Sequence, residues 1–297
     1  MTSLAPQTPE TRASTAAAAD SPLAVELESG TLSYGHRVLW SDLDLTVQPG
    51  EFLAVLGPNG TGKTSLLKVL LGLAPLTRGT ARVAGRPVRR GNPDVGYIPQ
   101  HRGFDADVPL RARDLVRLGI DGHRWGFGLP STGPRRRVDQ LLREVGASSY
   151  ADVPLGRLSG GEQQRVRVAQ ALATSPRLLL CDEPLLSLDL SHQQHVVDLI
   201  DAQRRDHDTA VLFVTHEINP VLPLVDRVLY IIDGSFRLGT PQEVMTSEVL
   251  SELYSSPIEV VRRGDRMLVV GAADIAAHQH DDAPPRHQQP RHRQGLR

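Results

Sequence analysis

After a polar start, the chain shows alternating apolar and polar residues and then short runs that are wholly apolar. The alternation at 24–27 and 43–47 predicts half-buried strands, with turns at Gly30 and Gly35 between them. The uniformly apolar run 52–56 predicts a central strand that is covered on both faces. Similar patterns predict a hairpin over 79–88 and strands over 95–98, 178–181, 210–215 and 228–232.

Apolar residues at helical spacing occupy several of the segments between these strands. A helix is predicted from Ser65 to Leu73, ended by Gly72 and Pro75, and a strong helix from Glu162 to Leu172. Further helices are predicted over 111–118, 138–145 and 192–205. The alternation of strands and helices implies parallel βα units, so the pattern predicts an α/β core into which a helical subdomain at about 101–157 is inserted.

Composition narrows the class of protein. With 297 residues, of which 40% are hydrophobic, the chain can bury a substantial core. Its net charge of −1 gives no general attraction to nucleic acid or to anionic lipid. The single cysteine, Cys181, lies in an apolar run and is predicted to be a buried residue of a reducing compartment. No apolar run approaches the ~18 residues of a spanning helix and no secretory signal is recognisable, so we expect a cytosolic protein.

The two ends of the chain differ from its middle. Residues 1–22 contain few bulky apolar side chains and are predicted to be disordered, which leaves 23–271 as one domain. Residues 272–297 form a polar, histidine-containing tail that is also predicted to be disordered, although binding of a cytosolic metal is an alternative. The basic run 135–137 is interpreted as a solvated loop, with a lipid-facing patch as the alternative.

A glycine-rich loop from Gly57 to Thr64 follows the apolar run 52–56 and precedes a helix. This is the pattern of a phosphate-binding loop, in which glycines let backbone N–H groups turn inward on a phosphate. In such a loop Lys63 supplies a positive charge to the β- and γ-phosphates, and the Thr64 hydroxyl ligates Mg²⁺. The alternative is a chance match in a glycine-rich turn.

Two adjacent carboxylates, Asp182 and Glu183, follow another apolar strand, and Pro184 comes directly after them. A carboxylate at that position can reach Mg²⁺ through water, and a second one can polarise an attacking water molecule. A solvated turn at the end of a strand would have the same residue types, so that interpretation is the alternative.

A third segment, Leu158 to Glu162, begins the strong helix. Ser159 is a good N-cap, and Gly160 and Gly161 let a phosphate approach the backbone closely. Taken alone, the segment could be an ordinary capped helix.

Together and in this order, the three segments resemble the nucleotide-binding subunit of an ABC transporter. The resemblance covers about 23–249 and implies a P-loop NTPase core with an N-terminal antiparallel β subdomain and an inserted helical subdomain. It also implies binding of ATP and Mg²⁺ and a head-to-tail, ATP-dependent homodimer in which the signature residues Ser159 to Gly161 contact the nucleotide of the other subunit. The implied nucleotide-binding residues are Tyr34, Gly57, Pro58, Asn59, Gly60, Thr61, Gly62, Lys63, Thr64, Ser65, Ser159, Gly160, Gly161 and Asp189.

The same resemblance assigns roles to single residues. Tyr34 lies where the family stacks an aromatic ring on adenine, with a core aromatic as the alternative. Glu183, His216 and Gln100 take catalytic positions, and Thr64, Gln100 and Asp182 are the implied Mg²⁺ ligands. The departures from the family pattern, which are Leu185 and Gln170, do not fall on catalytic positions.

Two shorter stretches, 108–119 and 216–220, are similar to the zinc- and manganese-type metal transporters, with siderophore importers as a close rival. The implied partners are a transmembrane permease and, for an importer, an extracytoplasmic solute-binding protein. The subunit would then lie on the inner face of the cell membrane. A soluble ABC ATPase that acts on nucleic acid is disfavoured because the chain has one ATPase unit, no sustained heptads and no net basic charge. A non-catalytic regulator is disfavoured because Glu183 and His216 are both present.

Overall fold

The strands of the described part of this chain form three sheets. The computed structural model describes residues 22–100, 103–105, 107–122, 132–186, 188–264 and 266–271. The strands, in chain order, are β1 (Val25–Tyr34), β2 (Arg37–Val47), β3 (Phe52–Leu56), β4 (Arg78–Val83), β5 (Arg86–Pro87), β6 (Val95–Ile98), β7 (Leu178–Asp182), β8 (Ala210–Val214), β9 (Arg227–Ile232), β10 (Ser235–Gly239), β11 (Ile258–Arg263) and β12 (Arg266–Gly271).

The central sheet has six strands in the order β10-β9-β3-β8-β7-β6. All its neighbouring pairs are parallel except β9 and β10, which form an antiparallel hairpin. Every residue of β3, β7 and β8 is buried, as expected for apolar strands covered on both faces. Alternate residues of these strands enter two different cores: Leu53 and Val55 join one, and Phe52 and Ala54 join the other.

The first of these cores also contains a four-stranded antiparallel sheet in the order β2-β1-β4-β5. The prediction of a turn at Gly30 was wrong, because Gly30 lies inside β1 where the register with β2 shifts. A Cβ on Gly30 would stand 2.2 Å from the Leu27 side chain, so the residue serves a close approach within the sheet. The turn is formed at Gly35, which has a φ of 58°.

The helices complete both cores. They are α1 (Lys63–Leu70), α2 (Ala112–Asp121), α3 (Thr132–Glu144), α4 (Gly160–Ala171), α5 (Leu190–His207), α6 (Pro241–Val244) and α7 (Ser247–Tyr254). Helix α1 packs its apolar face into the core shared by the central and antiparallel sheets. Helices α2, α3, α4 and α5 contribute to the core on the other face of the central sheet. The predicted helices are confirmed, but α3 begins six residues before the predicted start at 138. The basic run 135–137 therefore lies in a helix, and its interpretation as a loop was wrong.

The C-terminal part of the described chain had no detailed prediction. It consists of β10, α6, α7 and the two-stranded hairpin β11-β12. The predictions for residues 1–21 and 272–297 lie outside the described residues. Among the residues that the structure does describe, no helix is both long and apolar enough to cross a membrane.

Candidate functional site

Most of the predicted site residues lie at or just after the carboxyl ends of four neighbouring strands of the central sheet, β3, β8, β7 and β6. The carboxyl ends of parallel strands meet at the same edge, and residues placed just after them therefore lie together. Here they enclose a cleft of about 690 Å³. The described residues that line this cleft are Tyr34, Arg37, Leu39, Asn59, Gly60, Gly62, Lys63, Thr64, Ser65, Gln100, Glu183, Leu186 and His216.

The glycine loop wraps around the start of α1, as the sequence predicted. Gly57, Gly60 and Gly62 have φ values of 134°, 81° and 104°, a region that side-chain-bearing residues rarely adopt. At Gly57 a Cβ would stand 1.9 Å from the backbone oxygen of Ile231. Thr61 fixes the loop further, since its hydroxyl donates to the Pro58 carbonyl at 3.0 Å. The loop therefore depends on glycine both for its dihedral angles and for space.

Lys63 is the buried cation of the site. Its Nζ donates to the carbonyl oxygens of Gly57 and Pro58, at 2.7 Å each, so the ammonium lies inside the curve of the loop. Burial lowers the pKa of Lys63, while the nearby carboxylates of Glu183 and Asp182 act to raise it. A phosphate bound at this position would add negative charge beside the ammonium and favour its protonated form.

Asp182 connects the end of β7 to the start of α1. Its Oδ1 accepts a hydrogen bond from the Thr64 hydroxyl at 3.0 Å, and its Oδ2 accepts one from the Tyr97 hydroxyl at 3.4 Å. Burial raises the pKa of Asp182, and the two hydrogen bonds partly oppose that shift. Burial and Asp182 also raise the pKa of Tyr97 to about 12, so Tyr97 remains a donor. The Thr64 hydroxyl and the Asp182 carboxylate therefore lie side by side, and both are oxygen groups of the kind that a divalent cation prefers.

Glu183 is the carboxylate that faces the cleft. Its backbone N–H donates to the Val214 oxygen at 3.0 Å, and its φ is 46°, which turns the chain sharply after β7. The Nε2 of Gln100 donates to Glu183 Oε2 at 3.1 Å, and Nδ1 of His216 is 3.9 Å from Oε1. The predicted catalytic residues therefore meet at one carboxylate, and the solvated-turn interpretation of Glu183 is wrong because its side chain is only 14% exposed.

The signature residues occupy a different place. Ser159, Gly160, Gly161 and Asp189 are absent from the described residues that line the cleft. Ser159 caps α4, with its hydroxyl accepting from the Glu162 N–H in a capping box. The N-terminal ends of α4 and α5 therefore present exposed residues outside the cleft of the same chain.

The ends of α4 and α5 are also packed against each other. Asp189 caps α5 by accepting from the His192 N–H at 2.9 Å, and the His192 ring lies close to Gly161, where a Cβ would stand 2.5 Å from it. Hydrogen bonds from His192 and Ser191 hold the pKa of Asp189 well below its usual range. Ser187, which precedes this cap, lies outside the described residues.

Three contacts were missed by the sequence analysis. Arg37 lines the cleft beside Tyr34 and donates to the Gly60 carbonyl at 3.0 Å. Tyr97 contacts Asp182, and His192 contacts Gly161, each across a large separation in the chain. Only tertiary structure brings the two residues of each contact together.

Tyr34 is 52% exposed at the cleft, so the interpretation as a core aromatic was wrong.

Known proteins are similar to this chain in both sequence and fold. Residues 40–186 match the family model described as ABC transporter. The manganese transport system ATP-binding protein MntB of Halalkalibacterium halodurans is 30% identical over 83% of this chain and 98% of its own length. The zinc transport system ATP-binding protein TroB of Treponema pallidum is 34% identical over 79% of this chain and 88% of its own length.

A solved structure agrees with these relatives. A chain of an ABC transporter described as of the metal-chelate type, in an inward-facing conformation, superposes with a TM-score of 0.71 and 27% identity. The match covers 83% of this chain and 96% of the solved chain.

Proposed function

Because this chain belongs to the ATP-binding subunits of ABC transporters, we propose that its ATP hydrolysis drives uptake of a divalent metal, manganese or zinc. ABC subunits of this kind work with transmembrane permease components. The metal is supported by the names of the two relatives, which are similar to this chain over most of its length. The observation that carries the ATP hydrolysis is the cleft that Lys63, Thr64, Gln100, Glu183 and His216 line together.

The loop and its surroundings are suited to a nucleoside triphosphate. Backbone N–H groups of the glycine loop and the start of α1 offer hydrogen bonds and a positive dipole end to phosphate oxygens. Lys63 would move from its carbonyl partners to the β- and γ-phosphates. Tyr34, half exposed at the outer part of the cleft, would stack on the adenine ring, with Arg37 beside it.

The residues at the start of α1 and at the end of β7 fit a magnesium ion. Mg²⁺ prefers oxygen ligands and is commonly held by one or two protein oxygens together with substrate phosphates. The hydroxyl of Thr64 and the carboxylate of Asp182, with their oxygens 3.0 Å apart, would hold it, and Gln100 would reach it from β6. When bound, the ion neutralises charge on the phosphates.

Glu183 is the proposed general base. A water molecule placed between Glu183 and the γ-phosphorus would lose a proton to the carboxylate as its oxygen bonds to phosphorus. The bond between the γ-phosphorus and the oxygen that joins it to the β-phosphate breaks in line with that attack, and ADP leaves. Gln100 and His216 would orient the carboxylate, the water and the γ-phosphate, since both already converge on Glu183.

The position of the signature residues supports a dimer of two chains. Ser159 and Gly160 are exposed and Gly161 is half-buried at a helix start that lies outside the cleft of the same chain. In a head-to-tail pair, these residues of one copy would contact the γ-phosphate in the cleft of the other copy, with Asp189 near the contact. Each copy would then complete the site of its partner.

The place of the subunit in the cell follows from this proposal. It would lie on the cytoplasmic face of the membrane, held there by the permease, and an extracytoplasmic binding protein would deliver the metal. The solved metal-chelate type transporter favours a second candidate substrate, a metal chelate such as a siderophore. That structure is less similar in sequence than the two metal-transport relatives, so the free divalent metal is preferred.

The substrate is tested with the chain co-purified with its permease and reconstituted in lipid vesicles together with the solute-binding protein. We expect Mn²⁺ or Zn²⁺ to raise ATP hydrolysis several-fold, because a transported solute promotes closure of the ATPase dimer. The complex with Glu183→Gln is the control and should not respond to the metal. Stimulation by a ferric siderophore but by neither metal ion would replace the proposed substrate with the chelate.

A further inference from the structure

The hairpin β11-β12 is joined to the loop that follows His216. The side-chain Nδ2 of Asn219 donates to the Met267 carbonyl at 2.9 Å, and its Oδ1 accepts from the Met267 N–H at 2.8 Å. One amide side chain thus satisfies both backbone groups of a residue in β12, as a neighbouring strand would. The two residues are 48 positions apart in the sequence.

The loop between β8 and Asn219 is held at both ends. At its start, the Thr215 N–H donates to the Val55 oxygen at 3.2 Å, and the Thr215 hydroxyl donates to the Glu217 carbonyl at 2.8 Å. At its end, Ile218 is buried in the core and Asn219 is bound to the hairpin. His216 lies between these two fixed points.

The His216 side chain contributes little to its own placement. It is 56% exposed, and its Nδ1 is 3.9 Å from Glu183, which is too long for a hydrogen bond. The position of the ring in the cleft therefore depends on the backbone that carries it. The far anchor of that backbone is the paired hydrogen bond between Asn219 and Met267.

We propose that Asn219 is a positioning residue for His216 and that it links the C-terminal hairpin to the catalytic site. The proposal rests on the assigned role of His216 in hydrolysis. Small displacements of a catalytic group reduce rates strongly even when substrate binding is intact. Asn219 is not among the described residues that line the cleft, so its loss should change turnover and leave ATP affinity unchanged.

The chain offers a matched control in Ser251. Its hydroxyl donates to the Ile258 carbonyl at 3.1 Å and accepts from the Ile258 N–H at 2.8 Å, so it also makes two hydrogen bonds to the same hairpin. Ser251 belongs to α7, and its hydrogen bonds to residues outside that helix and its C-cap, among those that the structure describes, go to Ile258 and Ser256 rather than to the His216 loop. Asn219→Ala and Ser251→Ala thus remove equal numbers of hydrogen bonds from the hairpin, but only one of them affects the anchor of His216.

The test measures kcat, KM and the stoichiometry of ATP binding for both variants in the full chain. We expect Asn219→Ala to lower kcat about tenfold with KM and stoichiometry unchanged, and Ser251→Ala to keep the native kcat. Asn219→Asp preserves the size of the side chain but replaces the donor with a charged oxygen that repels the Met267 carbonyl, so it repeats the test if the alanine variant folds poorly. Equal losses of kcat in Asn219→Ala and Ser251→Ala would overturn the proposal.

A double-mutant cycle separates this proposal from the proposed function. If Asn219 acts through His216, adding Asn219→Ala to His216→Ala should lower kcat no further. Additive losses would show that Asn219 acts by another route and would overturn the inference. Native kcat in His216→Ala alone would instead refute the catalytic role of His216, which belongs to the proposed function.

Discussion

Replacing Glu183 with Gln is expected to lower kcat for ATP hydrolysis about a thousandfold while ATP binding is retained. The substitution preserves the shape of a side chain that is only 14% exposed and accepts a hydrogen bond from Gln100 at 3.1 Å. The amide oxygen of glutamine can still accept that bond, so the cleft keeps its form. A neutral amide, however, cannot take a proton from the attacking water. Single-turnover hydrolysis and equilibrium binding of a fluorescent ATP analogue measure the two quantities separately.

The matched control for this variant is Glu144→Gln. Glu144 is an exposed residue of the last turn of α3 and is not among the described residues that line the cleft, so its neutralisation should leave kcat unchanged. Near-native hydrolysis by Glu183→Gln would show that another group accepts the proton. Loss of ATP binding along with turnover would show that Glu183 holds the nucleotide rather than activating water.

Gly57→Ala should destabilise the protein by at least about 3 kcal/mol and prevent ATP binding. The φ of 134° at Gly57 is strained for alanine, and the new Cβ would stand 1.9 Å from the Ile231 oxygen. Ile231 cannot shift easily, because it belongs to β9 and pairs with Phe236 of β10. The loop itself would have to move, and the N–H groups that face the phosphates would move with it. Urea denaturation and nucleotide titration measure the two effects.

Gly146→Ala separates the clash from the dihedral strain. Gly146 also has a positive φ, of 65°, but a Cβ there would meet no heavy atom within 4 Å. We expect a loss of about 1 kcal/mol and native ATP affinity for this variant. If Gly57→Ala were as stable as Gly146→Ala and bound ATP normally, the space requirement inferred for the glycine loop would be wrong.

The regularity of the fold explains which elements could be predicted from the sequence. The strands β3, β7 and β8 were predicted because they are uniformly apolar, and they are buried on both faces. The strands β1 and β2 extend well beyond their predicted limits. Their pairing shifts register repeatedly, and Ser29 and Asp42 have positive φ values, so the simple alternation of apolar and polar residues is broken.

The parts of the site that could be predicted are those whose functional residues are adjacent in the sequence. The glycine loop and the pair of Asp182 and Glu183 are short runs whose neighbours reveal the strand and helix that carry them. The contact of Tyr97 with Asp182 spans 85 positions, and that of Asn219 with Met267 spans 48. Such contacts arise from the order of strands in the sheet and from the docking of the hairpin, which no local pattern specifies.

The proposal that two chains share each nucleotide site is most directly tested by the mass of Glu183→Gln in sedimentation equilibrium. Because we expect the variant to bind ATP without hydrolysing it, we predict a monomer without nucleotide and a dimer with saturating Mg-ATP. Adding Ser159→Arg should return it to a monomer, since this residue would contact the nucleotide bound by the other copy. A Glu183→Gln chain that stays monomeric with saturating Mg-ATP, even in the presence of its permease, would contradict the account.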